Sequence, residues 1–252
     1  MDYLVFRLYG AMASWGEIAV GQSRHSAVYP GKSALLGLVA AALGIPRVDE
    51  VAQLALHNGY VTAVKQLSNG RLLRDYHTTQ APDSAGKVQY RTRRDELVRG
   101  KARLGTILSS REYRCDALCI VALRALELAP YTLAQIKKSL LKPKYHLYLG
   151  RKSCPLSAPL CPQILEATEF KVALDDYRMK PLTAKTQHND DTLGLAKNQL
   201  TQYFWEGGDV DFSSAKDFDP QQVQTLIRHD QVRSRVRWQF SPKPTRYYQT
   251  ED

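Results

Sequence analysis

The sequence contains no apolar run long enough to cross a bilayer. Its longest apolar stretch, residues 34–45, falls well short of the roughly 18 residues that a membrane-spanning helix requires. The first residues also lack a basic segment followed by a long apolar run, which is the pattern of a secretory signal peptide. We therefore expect a cytoplasmic protein without membrane contact.

Cysteine is scarce, and its spacing does not suit a metal site. The chain has 4 cysteines. The intervals Cys115 to Cys119 and Cys154 to Cys161 differ from the C-x2-C or C-x4-C pairs that structural zinc prefers. The 6 histidines form neither an HExxH motif nor an H-x-E motif followed by a cysteine pair. We expect no metal and no cofactor, and cysteines that are buried free thiols.

The sequence also lacks a complete nucleotide-binding loop. Gly31, Lys32 and Ser33 match the end of a phosphate-binding P-loop, but Ser26 stands where the motif needs its first glycine. Nucleotide hydrolysis is therefore disfavoured. Amides at the start of a helix beside Lys32 still suit one backbone phosphate, and a capped helix with a solvated lysine is an equal alternative.

Positive charge exceeds negative charge by a wide margin. The 35 lysines and arginines outnumber the 25 aspartates and glutamates, which gives a formal net charge of +10 and a sequence pI near 9.4. Such a surplus favours a polyanionic partner, because each neutralised phosphate releases condensed counterions. Hydrophobic residues make up 44% of the chain, so we expect a folded core rather than global disorder.

Local patterns predict an α+β fold. Alternating side chains over residues 3–8 predict an opening strand. Ser33 is expected to cap a helix that runs to Leu43, with Gly44 and Pro46 as its stop signals. Further strands are predicted at residues 61–67 and within 115–128, and a helix at residues 133–141. This order of elements is compatible with a ferredoxin-like core.

The segment 71–114 differs in character from its surroundings. It is rich in arginine and lysine, including Lys87, and has few large aliphatic side chains. Such a segment cannot bury much of itself. We expect either a solvated loop or an arm that folds on a partner.

Two short motifs carry residue types that suit single-stranded RNA. In residues 142–153, lysines and arginines alternate with tyrosines, and in residues 74–79 Arg74, Tyr76 and His77 lie together. Cations meet phosphates and flat rings stack on bases. The same types could serve a metal-independent ribonuclease, or the first motif could be a solvated strand edge. Binding is favoured over catalysis, because catalysis needs stricter geometry.

Five blocks in fixed order resemble the CasD family, the type I-E branch of the fifth-numbered Cas proteins. They are RLYGAMASWGE, SRHSAVYPGKSALLGLVAAALGI, LRDYHTT, REYRCDALCIVAL and LKPKYHLYLGRKSCPLSAPL. The resemblance implies a ferredoxin-like (RRM-related) domain over residues 1–179, with a long thumb inserted at about 71–114. Residues 180–252 would form a C-terminal extension packed on that domain. The match is loose after about Met179, and the acidic-polar stretch 188–191 has no assigned role.

The resemblance also implies a function. The chain would be a non-catalytic subunit of the CRISPR Cascade complex that holds the 5′ handle of the guide RNA (crRNA). It would adjoin the backbone subunit and the large subunit, with target DNA nearby in the assembled complex. The alternatives are an endoribonuclease that processes repeat RNA, as in the type I-C branch, or a generic RNA-binding module. The expected RNA-binding residues are Trp15, Arg24, His25, Lys32, Ser33, Arg74, Tyr76, His77, Arg111, Arg114, Lys142, Lys144, Tyr145, Tyr148, Arg151, Lys152 and Ser153.

Overall fold

The structure, a computed structural model, describes most of the chain. The described residues are 1–19, 21–83, 89–179, 198, 200–208, 211–212, 218–234, 237 and 239–250. Lys87, the stretch 188–191, Arg235 and Trp238 lie outside these residues.

The described elements are mostly strands. In chain order they are β1 Asp2–Tyr9, β2 Met12–Ala13, β3 Trp15–Gly16, β4 Ser23–Arg24, β5 Ser26–Ala27, β6 Tyr60–Ser68, β7 Arg71–Pro82, β8 Leu104–Cys115, β9 Leu118–Ala125, β10 Gln163–Glu166, β11 Thr201–Trp205, β12 Gln224–Ser234 and β13 Gln239–Thr250. The helices are α1 Lys32–Leu43, α2 Glu50–Gly59, α3 Arg93–Val98, α4 Leu133–Leu141 and α5 Phe170–Asp175, with 3-10 turns at Lys101–Arg103 and Pro220–Gln222. No helix in the described ranges is long and apolar enough to span a membrane.

A seven-stranded antiparallel sheet forms the body, in the order β10-β1-β9-β6-β11-β13-β12. Alternation along β1 divides its side chains between two cores. Leu4 and Phe6 pack with α1 and α4 on one face, whereas Tyr3 and Val5 pack with α5 on the other. Both faces are therefore covered, and the predictions of strands at 3–8 and 61–67 and of a helix at 133–141 are confirmed.

The helix α1 lies against the sheet and is mostly buried, as its apolar sequence predicts. Gly44 ends it in a left-handed conformation, with φ of 80°, and donates its amide to the carbonyls of Ala40 and Ala41. The predicted cap was wrong by two positions: the cap residue is Gly31, and Ser33 already lies in the first turn.

The central strand β9 lies inside the predicted segment 115–128. Cys115 closes the preceding strand β8, and Asp116 turns the chain with φ of 58° before β9 starts at Leu118. All four cysteines are free thiols, as expected. Cys119 and Cys154 are buried, and the other two are half-buried.

Strands β7 and β8 form a long two-stranded arm, so this segment buries little of itself, as expected, but its two halves pair with each other instead of forming a loop. Strands β7 and β8 pair from Arg71–Cys115 at the body to Pro82–Leu104 at the far end, in unbroken antiparallel register. The backbone ladder needs no apolar core, so the scarcity of aliphatic residues did not prevent it. Residues 71–80 are exposed on both faces of the ribbon.

The last third of the chain joins the same sheet. Strand β11 pairs with β6, and the hairpin of β12 and β13 extends the sheet beyond it. Tyr29 stacks on Phe204 of β11 at 3.6 Å between ring centroids. The division of the chain into two parts at residue 179 stays a prediction. Strands from before and after this residue are hydrogen-bonded to each other in one sheet.

Candidate nucleic-acid interface

The body end of the arm is held by two short strands. Strand β2 pairs with β8 at Met12–Cys115, and β4 runs parallel to β8 at Arg24–Arg111. The hydroxyl of Ser14 donates to the carbonyl of Glu112 at 3.0 Å. We call this region, where residues 12–16 and 23–27 meet residues 110–115, the arm base.

Glu112 is the centre of the arm base. Its side chain is 9% exposed and accepts hydrogen bonds from Arg74 Nη2 at 2.8 Å and from the amide of Ser26 at 3.3 Å. His25 Nδ1 lies 3.3 Å from the same carboxylate. Burial by itself raises the pKa of the Glu112 carboxyl, but the hydrogen bonds, that from Arg74 foremost, outweigh burial and hold the pKa below its usual value.

The low pKa of Glu112 predicts a pH-dependent contribution to stability. A carboxyl whose folded pKa is depressed stabilises the fold above its unfolded pKa, and this contribution is lost as the pH falls through the folded pKa. Replacing Glu112 with Gln should therefore cost about 1 to 2 kcal/mol at neutral pH, a figure kept small because Arg74 and His25 are mostly exposed. Thermal unfolding should show the difference in melting temperature between the two proteins shrinking as the pH falls below the usual pKa of a glutamate.

The exposed carboxylate of Glu127 provides the matched control for this measurement. Glu127→Gln removes the same charge from a solvated position and should leave the melting temperature nearly unchanged at every pH. A constant gap between Glu112→Gln and the wild type across the pH range would contradict the assigned role.

The loop 148–155 docks against the arm base. Tyr148 and Pro155 bridge its ends, the amide of Leu149 donates to the carbonyl of Cys154 at 2.8 Å, and the amide of Ser14 donates to the carbonyl of Leu149 at 3.0 Å. Gly150 has φ of 83°, and a Cβ placed on it would lie 1.9 Å from the carbonyl oxygen of Ser14. Only glycine fits this contact.

Arg151 extends from this loop onto the arm. Its guanidinium lies 5.2 Å from the ring centroid of Tyr113, and Nη1 lies 3.4 Å from the Tyr113 hydroxyl. A cation over an aromatic face is attracted by the ring electrons, which fixes the orientation of the guanidinium. The neighbouring Lys152 and Ser153 remain exposed. The guanidinium of Arg151 is thus held in one orientation by Tyr113, whereas the side chain of Lys152 extends into solvent.

The predicted residues of the arm are divided between its two faces. Alternation and the register place Arg74 and Tyr76 on the face of Glu112, and His77 and Arg111 on the opposite face. A ribonuclease site built from Arg74, Tyr76 and His77 would need all three on one side. The structure therefore does not place these three side chains together, as the ribonuclease alternative requires.

The predicted residues Lys142, Lys144 and Tyr145 lie beside the end of α1, just before the loop 148–155. The amides of Lys144 and Tyr145 donate to the carbonyls of Ala42 and Ala41, which ties this segment to the end of α1. A groove of about 640 Å³ separates residues 140–147 from residues 155–162. Lys142 is exposed, and the rings of Tyr145 and Tyr148 are 52% and 43% exposed, which leaves two flat surfaces open to solvent.

Three other predicted residues are placed differently from one another. Arg24 is exposed, and its Nη1 donates to the carbonyl of Gly21 at 2.7 Å. Arg114 is half-buried at the arm base, where it pairs with Leu72 across the ladder. Trp15 is only 4% exposed, so its ring cannot stack on a base without moving.

Lys32 does not reach the surface. Its ammonium lies 3.0 Å from Glu206 Oε2, the side chain is 6% exposed, and Lys243 shares the same carboxylate at 2.7 Å. Burial lowers the pKa of Lys32, and the attraction to Glu206 only partly offsets this. The amide of Ser33, where a phosphate was expected, donates to the carboxylate of Asp230 at 3.1 Å. These contacts favour a structural role for both residues, and we exclude them from the interface.

Two residues of the site were missed in the sequence. Glu112 and Tyr113 lie within the block REYR, where an acid and a ring stand between arginines. An acid that stands between two arginines is a signal for an internal ion pair. Without the register of the arm, however, nothing indicated that Arg74 lies opposite Glu112.

The sequence matches a known family over nearly its whole length. Residues 3–242 fit the family model described as CRISPR-associated protein (Cas_Cas5). The chain belongs to this family. It is 37% identical over 184 residues, 70% of this chain and 77% of the relative, to the CRISPR system Cascade subunit CasD of Escherichia coli (strain K12). The membership in the type I-E CasD branch of the Cas_Cas5 family, predicted from the ordered blocks, is confirmed.

Two solved structures share the fold of this Cas_Cas5 family member. A chain of the CRISPR RNA-guided surveillance complex has a TM-score of 0.64 and 24% identity, and the alignment covers 99% of this chain and 90% of that one. The crystal structure of a Cas protein has a TM-score of 0.56 and 21% identity, with 99% and 95% covered. At these identities the likeness shows the fold alone.

Proposed function

We propose that the chain is a non-catalytic, crRNA-binding subunit of the type I-E Cascade complex and that it holds the 5′ handle of the guide RNA. The relative CasD is a Cascade subunit by name, and one structural neighbour belongs to an RNA-guided complex. In this proposal the four strands β10-β1-β9-β6 with α1 and α4 form a ferredoxin-like, RRM-related core, since their chain order follows the β-α-β-β-α-β pattern.

One observation carries the proposal: cations from three separate parts of the chain are held at the arm base, where Arg74 and Arg151 contact neighbouring residues of β8 that face opposite sides of the ribbon. Glu112 orients Arg74, Tyr113 orients Arg151, and Arg24 projects from the strand paired with β8. A single-stranded nucleic acid that passes over the arm base can be held by cations that meet its phosphates. Guanidinium groups held in advance lose less entropy on binding, so they serve recognition better than mobile ones.

Exposed rings supply the other half of single-strand recognition. Tyr76 on the arm is 66% exposed, and Tyr145 and Tyr148 flank the docked loop. Bases that are splayed out of the strand can stack on such rings while Lys152 and Lys142 meet the phosphates. The strand would then pass from the groove beside α1, along the loop 148–155, to the arm base.

In this proposal the chain captures RNA and does not cut it. Holding one defined end of the guide positions the remaining assembly, and the target is read by base pairing. The backbone subunit and the large subunit would adjoin the arm and the body, which brings target DNA close to the chain in the assembled complex.

The double change Arg151→Ala and Lys152→Ala tests the proposed site. Two lost phosphate contacts should lower the amount of guide RNA that copurifies with the complex. They should also reduce the slope of log affinity against log salt by about 1.4, at ~0.7 per single-strand contact. Lys137→Ala with Lys138→Ala removes equal charge from α4 and should have little effect.

Two outcomes would contradict the proposal. One is unchanged retention of guide RNA and an unchanged salt slope in the Arg151 and Lys152 variant. The other is normal assembly around a guide that lacks its leading repeat nucleotides.

A further inference from the structure

The far end of the arm carries a second concentration of positive charge. Residues 91–103 contain six arginines and lysines against two carboxylates, an excess of four positive charges. The cations, all exposed, are Arg91, Arg93, Arg94, Arg99, Lys101 and Arg103. Asp95 and Glu96 pair with two of them, Arg99 at 4.0 Å and Arg93 at 2.5 Å. We call residues 91–103 the arm tip.

The arm tip is an ordered structure and not a solvated loop. Thr92 Oγ1 accepts the amide of Asp95 at 3.1 Å and so caps α3. Arg93 donates to the carbonyl of Gln80, which ties α3 to the end of the ribbon. Gly100 is buried where a Cβ would lie 2.9 Å from the ring of Pro82. The remaining cations are therefore displayed from a fixed framework.

The arm tip lies far from the arm base. The Arg74–Glu112 pair and the Pro82–Leu104 pair are eight register positions apart. At ~3.4 Å per residue this separation is about 27 Å. A nucleic acid strand that rises ~3.4 Å per nucleotide crosses it in about eight nucleotides. A cation at the tip cannot reach the few nucleotides that the arm base contacts.

We propose that the arm tip is a second phosphate-binding surface, which contacts a nucleic acid backbone about eight nucleotides from the strand held at the arm base. This inference rests on the proposed function, because the arm base fixes the first strand. Arg91, Arg94 and Lys101 would make the contacts. Guanidinium forks match phosphate oxygens, and the six cations of the tip outnumber its two carboxylates.

The test compares purified full-length proteins with matched charge changes. The tip variant carries Arg91→Gln, Arg94→Gln and Lys101→Gln. The control variant carries Lys137→Gln, Lys138→Gln and Arg237→Gln, which removes equal charge from other faces. Thermal unfolding checks that each is folded. The probes are a single-stranded RNA of about 20 nucleotides, one of about 6, and a DNA duplex of about 20 base pairs, chosen around the eight-nucleotide span.

The tip variant should bind the long RNA roughly a hundredfold more weakly at ~0.1 M salt, because three lost contacts change the salt slope by about 2. Its binding to the short RNA should match that of the wild type. A larger loss on the duplex than on the long RNA would identify the contacted strand as DNA. Both results support a phosphate-binding tip.

Equal behaviour of the tip and control variants on both long probes would overturn the inference, and would leave an acidic protein surface as the partner of the tip. The Arg151→Ala, Lys152→Ala variant distinguishes this failure from failure of the proposed function. That variant should lose affinity for the short and the long RNA alike, whatever the tip does.

Discussion

Replacing Gly150 with alanine is expected to detach the loop 148–155 from the arm base and to remove most of the proposed RNA binding. The added Cβ would lie 1.9 Å from the carbonyl oxygen of Ser14, and the residue would keep φ of 83°, which side chains disfavour. Ser14 cannot move away, because its amide and hydroxyl are bonded to Leu149 and Glu112. Strain and overpacking together should cost about 3 kcal/mol.

Thermal unfolding and RNA binding measure the two parts of this effect. A loss of about 3 kcal/mol corresponds to roughly 6 to 12 °C in melting temperature for a chain of this size. Gly16→Ala is the control, since Gly16 lies two residues from Ser14 and a Cβ placed on it would have no neighbour within 4 Å. A Gly150→Ala protein with the melting temperature and RNA affinity of the wild type would show that the loop is not held as described.

Replacing Glu206 with leucine is expected to cause a destabilisation of similar or greater size. The change leaves the ammonium groups of Lys32 and Lys243 near each other without their shared carboxylate, and Lys32 is almost fully buried. Removing one partner of a buried ion pair typically costs about 3 to 5 kcal/mol. The double variant Lys32→Met, Glu206→Leu should recover most of the loss, because it removes the buried charge together with its partner.

The pH dependence separates this electrostatic cause from a packing defect. Burial already lowers the pKa of Lys32, and loss of Glu206 lowers it further. The unfolded chain then binds more protons than the folded one, so stability rises as the pH rises through the folded pKa. The melting temperature of Glu206→Leu should approach that of the wild type at alkaline pH. An equal deficit at all pH values would indicate lost packing instead.

The regular elements were predictable where burial is periodic. Residues 3–8 alternate because β1 lies between two cores, and residues 133–141 repeat at helical spacing because α4 covers one of them. The arm was not predictable in this way. Strand β7 is exposed on both faces over residues 71–80, so no apolar period marks it, and the backbone ladder with β8 holds it in place.

The candidate site was predictable by residue type and not by geometry. The cations Arg74 and Arg151 were identified, but Glu112 and Tyr113, which fix them, were not. Each of these pairs is separated by 38 positions in the chain. Lys32 was assigned to the interface because its partner could not be seen in the sequence. That partner, Glu206, follows the strand β11, which the sequence pattern did not predict.

The capping of α1 by Asp230 has a consequence for biosynthesis. The first turn of this helix receives its carboxylate from a residue 197 positions later. Arg228, from the same strand, closes over Tyr29 at 4.6 Å. Contacts of such long sequence separation form late, because the ribosome delivers the chain from its amino end. The nascent protein must therefore leave the start of α1 open until the hairpin of β12 and β13 has emerged, and its docking is the step that completes the body.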